Sequence, residues 1–253
     1  MKTTTRKLSL LLLLSSVLFL TSCLDSSQGY YIGKEEYSYI LRDQKTMTVY
    51  ARTAAGYWIT SEQISLLTPK TTAFISYHID FDEDGQVLTG ENNNVVIWEA
   101  TTSPEPIILD QKNLIFGDAP DVPAVNFESL LDPTYIENDL FGDCWLFPYT
   151  INLKKGETAR INFYRATEMD PAESSSTEVT IDVRVEIVGT PETDAKDKLV
   201  GDYVVADLSE LRNVFAANTD SDGKISLKFR YFRSDKDGLY TSNRDYSMYI
   251  EEK

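Results

Sequence analysis

Glu178-Val179-Thr180-Ile181-Asp182-Val183-Arg184-Val185-Glu186-Ile187-Val188 is the stretch that decides the fold. Val179, Ile181, Val183, Val185 and Ile187 fall on one face, and Thr180, Asp182, Arg184 and Glu186 on the other. A two-residue period of β-branched residues is the signature of a strand with one buried and one wet face. The same alternation recurs on both sides of this stretch. Leu227, Phe229 and Tyr231 alternate with Lys228 and Arg230, and Ala159, Ile161 and Phe163 with Arg160 and Asn162. Ile75, Tyr77, Ile79 and Phe81 alternate with Phe74, Ser76, His78 and Asp80, and Met47–Ala51 and Val95–Trp98 are shorter candidates. A repeated polar face predicts antiparallel sheets with one side solvated. Asp84-Gly85, Asp222-Gly223 and Asp237-Gly238 are hairpin-type dipeptides between the runs. The reading is therefore all-β.

One helix is expected. Asp207-Leu208-Ser209-Glu210 has the form of a capping box, with Leu208, Leu211 and Phe215 on one face, which places a short helix at 208–216. Gly117-Asp118-Ala119-Pro120-Asp121-Val122-Pro123 reads as a joint. It divides the chain into β domains at 36–118 and 119–253.

The N-terminus reads as an address. Lys2, Arg6 and Lys7 precede a run of Leu, Ser, Val and Phe from Leu8 to Leu20. That run is too short to span a bilayer and the right length for the apolar region of a signal peptide. It ends in Leu20-Thr21-Ser22-Cys23, which resembles a bacterial lipobox. The resemblance implies cleavage after residue 22 and acylation of Cys23 on its sulfur and new amino group. More than one acyl chain is what stable membrane anchoring requires. Residues 23–35, with Asp25, Ser26, Ser27, Gln28 and Gly29, read as a polar tether.

Composition excludes several classes of function. The chain carries 24 Lys and Arg against 40 Asp and Glu, a formal charge of −16. Loss of the three basic residues of the leader takes it to −19. Phosphate binding along a nucleic acid needs a basic face, so no nucleic-acid partner is expected. A single His leaves little scope for a Ser-His-Asp triad or a multi-His metal site. Two Cys exclude a disulfide scaffold and a four-Cys zinc site. Cys144 has no Lys, Arg or His beside it in Gly142-Asp143-Cys144-Trp145-Leu146 and reads as a buried, inert thiol.

Candidate site residues are few. His78 shares a strand face with Ser76 and Asp80 and is expected to face solvent. Trp58, Trp98 and Trp145 could form a sugar-stacking platform, although aromatics on strands more often pack the core. Tyr30 and Tyr31 fall in the tether, with no obvious core to join. Phosphate-cradling loops and nucleophile motifs are missing from the sequence, and no cofactor is expected. A glycoside hydrolase needs only two carboxylates, and 40 acids single out no pair. The sharpest motif is Asp80-Phe81-Asp82-Glu83-Asp84-Gly85 with Glu91 six residues further on. Asp80, Asp82, Asp84 and Glu91 match the oxygen ligands of an EF-hand calcium loop. Strand-like flanks in place of helices argue instead for a solvated hairpin turn.

Lipobox, polar tether, β domain with an acidic turn, Pro-rich joint and second β domain follow in an order that resembles the NigD-like lipoproteins of Bacteroides-type bacteria. The residues that carry the likeness are Phe74–Asp80, Val95-Val96-Ile97-Trp98 leading to Ser103-Pro104-Glu105-Pro106-Ile107, then Asp202–Leu208 and Ile225–Tyr231. The resemblance implies an N-terminal OB-like small barrel and a C-terminal antiparallel β-sandwich. It brings no catalytic or binding residues with it. The expected function is a non-enzymatic interaction or binding module anchored in the outer membrane through Cys23, with an envelope protein or a glycan as partner. A carbohydrate-binding lipoprotein of a glycan-uptake system and a two-carboxylate glycoside hydrolase are the alternatives.

Overall fold

The computed structural model describes residues 29–82, 86–89, 94–121, 124–135, 143–165, 177–216 and 219–250. The leader and Cys23 lie outside them, as do Asp84 and Glu91.

The first half contains β1 (Tyr30–Arg42), β2 (Val49–Thr53), β3 (Trp58–Thr60), α1 (Glu62–Ser65), β4 (Thr72–Asp80), β5 (Gln86–Thr89), β6 (Asn94–Thr102) and β7 (Ile107–Ile108). Strands β1, β2, β3, β6 and β4 pair in that order, and β4 pairs back onto β1, closing a five-stranded barrel. The pairing of β3 with β6 is parallel and the others are antiparallel. This is the small closed barrel expected, and it removes its own sheet edges. Ile40, Ala51, Ile59, Ile75, Ile79 and Ala100 fill the interior, together with Ile64 from α1. The Ser61 side chain caps α1 by accepting from the Ile64 N–H. Four residues are too few for a helical period to show in the sequence, so this second helix was not expected.

The strand β1 starts at Tyr30, inside the segment read as tether. Tyr30 to Gly33 pair with Asp80 to Tyr77, and Tyr31 packs between Tyr57 and Tyr77 at ring distances of 4.6 and 5.8 Å. The register shifts between Gly33 and Glu36, a bulge that bends β1 across the barrel. The core that Tyr31 joins comes from Tyr57, just before β3, and Tyr77 of β4, so the residues around it in sequence gave no sign of it.

The second half contains β8 (Gln111–Asn113), β9 (Ile115–Phe116), β10 (Ser129–Leu130), β11 (Cys144–Leu153), β12 (Glu157–Arg165), β13 (Glu178–Gly189), β14 (Lys198–Asp207), α2 (Glu210–Phe215), β15 (Lys224–Phe232), β16 (Leu239–Thr241) and β17 (Tyr246–Tyr249). One sheet runs β10-β11-β14-β8 and the other β16-β15-β13-β12-β9, with β17 also on β15. Phe127, Trp145, Phe147, Phe163 and Phe229 form the centre of the layer between them. The sandwich is mixed, not purely antiparallel. β13 pairs β15 in parallel, and β8 and β9 join β14 and β12 in parallel. The chain leaves the second sheet after β13, forms β14 and α2 elsewhere, and returns as β15. Such a crossover allows parallel neighbours.

These pairings also move the domain boundary. Residues 111–116, assigned from the sequence to the first domain, are strands of the sandwich. Pro120 therefore follows the crossing point and does not mark it, and Val122 and Pro123 lie outside the described residues. The helix α2 spans Glu210–Phe215, shorter than 208–216, and its N-cap Ser209 makes no side-chain cap bond. Asp207 Oδ1 instead accepts from the Ser209 N–H at 3.0 Å.

Inward positions follow the period-two reading closely, with two exceptions on β13. Val179, Ile181, Val183 and Val185 are buried, while Ile187 is exposed near the strand end. Asp182, on the face expected to be wet, is buried. Arg230 grips it through two bonds of 2.5 and 2.8 Å, and Arg184 lies at 3.3 Å. The outer face of this central strand is roofed by arginine stems, which shield apolar surface while keeping their charge near water.

The two halves meet over a third apolar cluster. Tyr37, Cys144, Leu146 and Val205 are its buried members, with Tyr39, Phe74 and Leu109 against them. The Tyr37 hydroxyl donates to the Cys144 carbonyl at 3.1 Å, and Phe74 meets Tyr203 edge-to-face at 5.0 Å. Gln111 ties both sides, donating to the Lys70 carbonyl and to Asp207.

Candidate functional site

The acidic motif comes first because it was the sharpest in sequence. Asp80 ends β4 and Asp82 follows in a turn, both exposed. The Asp82 N–H donates to Asp80 Oδ1 at 3.0 Å, so one of the two carboxylates is engaged in shaping the turn. The strand β5 begins at Gln86, within the twelve residues that an EF-hand would need as loop. Asp84 and Glu91 lie outside the described residues. Among the described residues, no group of three His, Cys, Asp or Glu side chains is placed to hold a metal ion.

The other singled-out residues separate. His78 is exposed, with the Tyr30 ring edge-on at 5.4 Å. Trp145 is buried and stacked on Tyr135 at 4.0 Å. Trp58 stacks on Tyr50 at 5.1 Å beneath Arg52, and Trp98 packs edge-on against Phe81. The three tryptophans lie in separate clusters and make no common platform. The Cys144 thiol is buried, and burial pushes its pKa well up, helped by Asp207 and Asp143. It is held in the unreactive thiol form.

A cavity that no sequence motif marked opens in the sandwich between the segment after β10, strand β15 and the loop from β16 to β17. Its volume is about 340 Å³. Phe147 and Phe229 form apolar wall, and Tyr231, Tyr240 and Tyr246 line it with Arg233 and Arg244. Arg233 lies 4.8 Å from the Tyr240 ring centre and Arg244 5.5 Å from that of Tyr246, both within cation–π reach. Asp132 is the one carboxylate among its described lining residues. It accepts from the Tyr246 hydroxyl at 2.5 Å and from Arg244 at 2.9 Å. These two partners, the phenol first, hold its pKa below the ordinary carboxylate range. Burial raises the Tyr246 pKa, and the Asp132 charge raises it further. The pair is fixed as charged acceptor and neutral donor at any physiological pH.

A general acid needs a proton to give near neutrality, and Asp132 has none. What the cavity offers is aromatic faces, guanidinium donors and a carboxylate, the groups that orient a polar ligand by hydrogen bonds. Asp132 stands 112 positions from Arg244 and 114 from Tyr246, which is why no local motif announced the group.

No family model and no curated protein matches the chain. Solved structures do. A protein from Parabacteroides merdae ATCC 43184 is 12% identical with a TM-score of 0.60, over 86% of this chain and 99% of that one. A candidate lipoprotein from Bacteroides fragilis NCTC 9343 is 13% identical with a TM-score of 0.53, over 88% and 98%. Structural neighbours also include a NigD-like immunity protein from Bacteroides caccae ATCC 43185, 12% identical with a TM-score of 0.44, over 88% and 99%. At such identities the likeness is one of fold.

Proposed function

We propose that this chain is a lipoprotein of the bacterial cell envelope, held in the outer membrane through Cys23, that acts by binding and not by catalysis. The observation that carries the reading is Leu20-Thr21-Ser22-Cys23 closing a 13-residue apolar run behind Lys2, Arg6 and Lys7. The fold shared with a candidate lipoprotein from Bacteroides supports it. Six residues separate Cys23 from the first strand at Tyr30, a reach of roughly 25 Å from Cα to Cα when extended. That holds the barrel close to the membrane. The binding role is supported by the sandwich cavity, where the lining carboxylate of Asp132 is engaged by Arg244 and Tyr246.

The anchor is tested by Cys23→Ala and membrane fractionation. The variant should leave the membrane fraction or accumulate uncleaved. A variant that is cleaved and fractionates as wild type does would overturn the reading. Protease shaving of intact cells decides which side the domains face.

A glycan ligand is the second reading, favoured by the three tyrosines and two arginines of the same cavity. A glycan array probed with the full chain, run beside a pull-down from native envelope, separates it from a protein partner. Tyr240→Ala should abolish a glycan signal that arises in this cavity.

A further inference from the structure

A second opening lies at another mouth of the sandwich, where β11 turns into β12. A cleft of about 560 Å³ opens there. Its floor is apolar: Tyr149, Ile151 and Leu153 of β11, Ala159 of β12 and Val200 of β14. Its rim carries Lys154, Lys155, Lys196 and Lys198. Two carboxylates, Glu157 and Asp202, also line it. Across the whole chain acids outnumber bases by 40 to 24, so a lining with four lysines against two acids inverts the prevailing sign.

The carboxylates there are engaged by the backbone. Glu157 accepts from the Lys154 N–H at 2.8 Å and Asp202 from the Tyr203 N–H at 2.8 Å. Lys155 is paired with Glu192 at 2.9 Å. None of the ion pairs among the described residues engages Lys154, Lys196 or Lys198. The mouth is also built to keep its shape. The Glu192 N–H donates to the Lys155 carbonyl at 2.9 Å, which holds the loop after β13 against the hairpin turn. Gly156 has φ of +93°, and a Cβ there would stand 2.5 Å from the Thr190 carbonyl oxygen. The turn and the loop therefore touch through backbone at a position that needs glycine.

An apolar trough rimmed by three ammonium groups that enter no ion pair among the described residues is complementary to one kind of small molecule. We propose that this cleft binds a single amphipathic anion, an unbranched acyl chain ending in a carboxylate, with the chain on the Ile151–Val200 floor and the headgroup among Lys154, Lys196 and Lys198. Burial of the chain supplies the favourable free energy, and the lysines set the orientation and the preference for negative charge. The cleft lies in the sandwich apart from the tyrosine-lined cavity, and the inference does not depend on acylation of Cys23.

The test is calorimetric titration of the full chain with sodium decanoate below its micelle concentration. Saturable binding of one decanoate per chain is expected. Decyl maltoside, with the same chain and a neutral head, and acetate, with the head and no chain, should each bind at least about tenfold more weakly. The triple variant Lys154→Gln, Lys196→Gln, Lys198→Gln should lose about tenfold or more in decanoate affinity while keeping the wild-type melting temperature, since all three side chains are exposed. Val200→Phe, which narrows the trough and leaves the charges, should weaken decanoate as well. The proposal fails if decanoate does not saturate, if the triple variant binds it as wild type does, or if decyl maltoside binds equally well. It fails equally if the chain binds phosphatidylglycerol vesicles through these lysines but not monomeric decanoate.

Discussion

Replacing Gly33 with alanine should unlock the barrel at its bulge. A Cβ at this position would stand 2.3 Å from Tyr77 Cε1, 2.6 Å from Cζ and 2.8 Å from Glu36 Oε2. Contacts under 3.0 Å do not occur, so the ring or the strand must retreat. The ring has little freedom to do so. Tyr77 is 3% exposed, and its hydroxyl donates to Glu36 at 2.7 Å and contacts Thr53 at 3.1 Å. Glu36 is fixed in turn by the Ala55 N–H. Overpacking of this kind costs about 1–3 kcal/mol, and a weakened hydrogen bond to a charged group about 1.5–3 kcal/mol. A total of about 3 kcal/mol lowers the melting temperature of a chain this long by roughly 6–12 °C. Thermal unfolding of Gly33→Ala, Tyr77→Leu and the double variant measures it, because the Tyr77→Leu change removes the atoms that the new methyl would strike. The penalty for alanine should shrink sharply in the Tyr77→Leu background. If Gly33→Ala melts within a degree of wild type, or is equally harmful in the Tyr77→Leu background, the steric reasoning is wrong.

Asp182→Ala leaves Arg184 and Arg230 facing each other without their carboxylate. Removing one partner of a buried pair costs about 3–5 kcal/mol, and the lower end applies because Arg230 is about a third exposed; urea midpoints give the value. In base, Tyr37, Tyr77, Tyr149 and Tyr246 all carry raised pKa values, chiefly from burial, with Tyr149 pushed up to about 12. Because an unfolded tyrosine ionises near 10, stability should be full below about pH 10 and be lost as pH rises from there through about 12, which urea unfolding at stepped pH would follow. The Cys144 thiol should react with an aromatic disulfide reagent only on unfolding; fast reaction of the native protein would contradict its burial. Calcium titrated calorimetrically into wild type and Asp82→Ala should give flat heats in both, and saturable binding lost in the variant would restore the EF-hand reading.

Period-two alternation revealed the inward faces of β4, β12, β13 and β15, because burial on one side of a strand constrains every second residue. It misjudged Asp182, whose two-bonded partner Arg230 stands on the neighbouring strand β15 and leaves no trace in the stretch around Asp182. Tyr31 was misread for a similar reason, since its neighbours Tyr57 and Tyr77 are supplied by segments distant in sequence. The joint was sought where Pro and Gly accumulate, but short strands such as Gln111–Asn113 are too brief to show a period. Both cavities were illegible because each is assembled from separated strands, and lysines beside Gly156 look like an ordinary hairpin tip until Lys196 and Lys198 are folded against them.

The pairing of residues 111–116 with strands β14 and β12 has a kinetic consequence. Every pairing of the barrel lies between residues 30 and 108, so it can close as soon as that stretch is free to fold. The sandwich must wait. Its β8 finds a partner at Val205–Asp207, and β13 finds β15 at Ser226–Arg230, close to the end of the chain. Long-range and parallel pairings of this sort form late, and they leave open edges while they are unmade. The finished barrel would meanwhile hold β8 and β9 by their N-terminal end, presenting a short fixed template on which the later strands can register. Folding would then run along the chain from its N-terminal side, with the barrel serving as the mould for the sandwich.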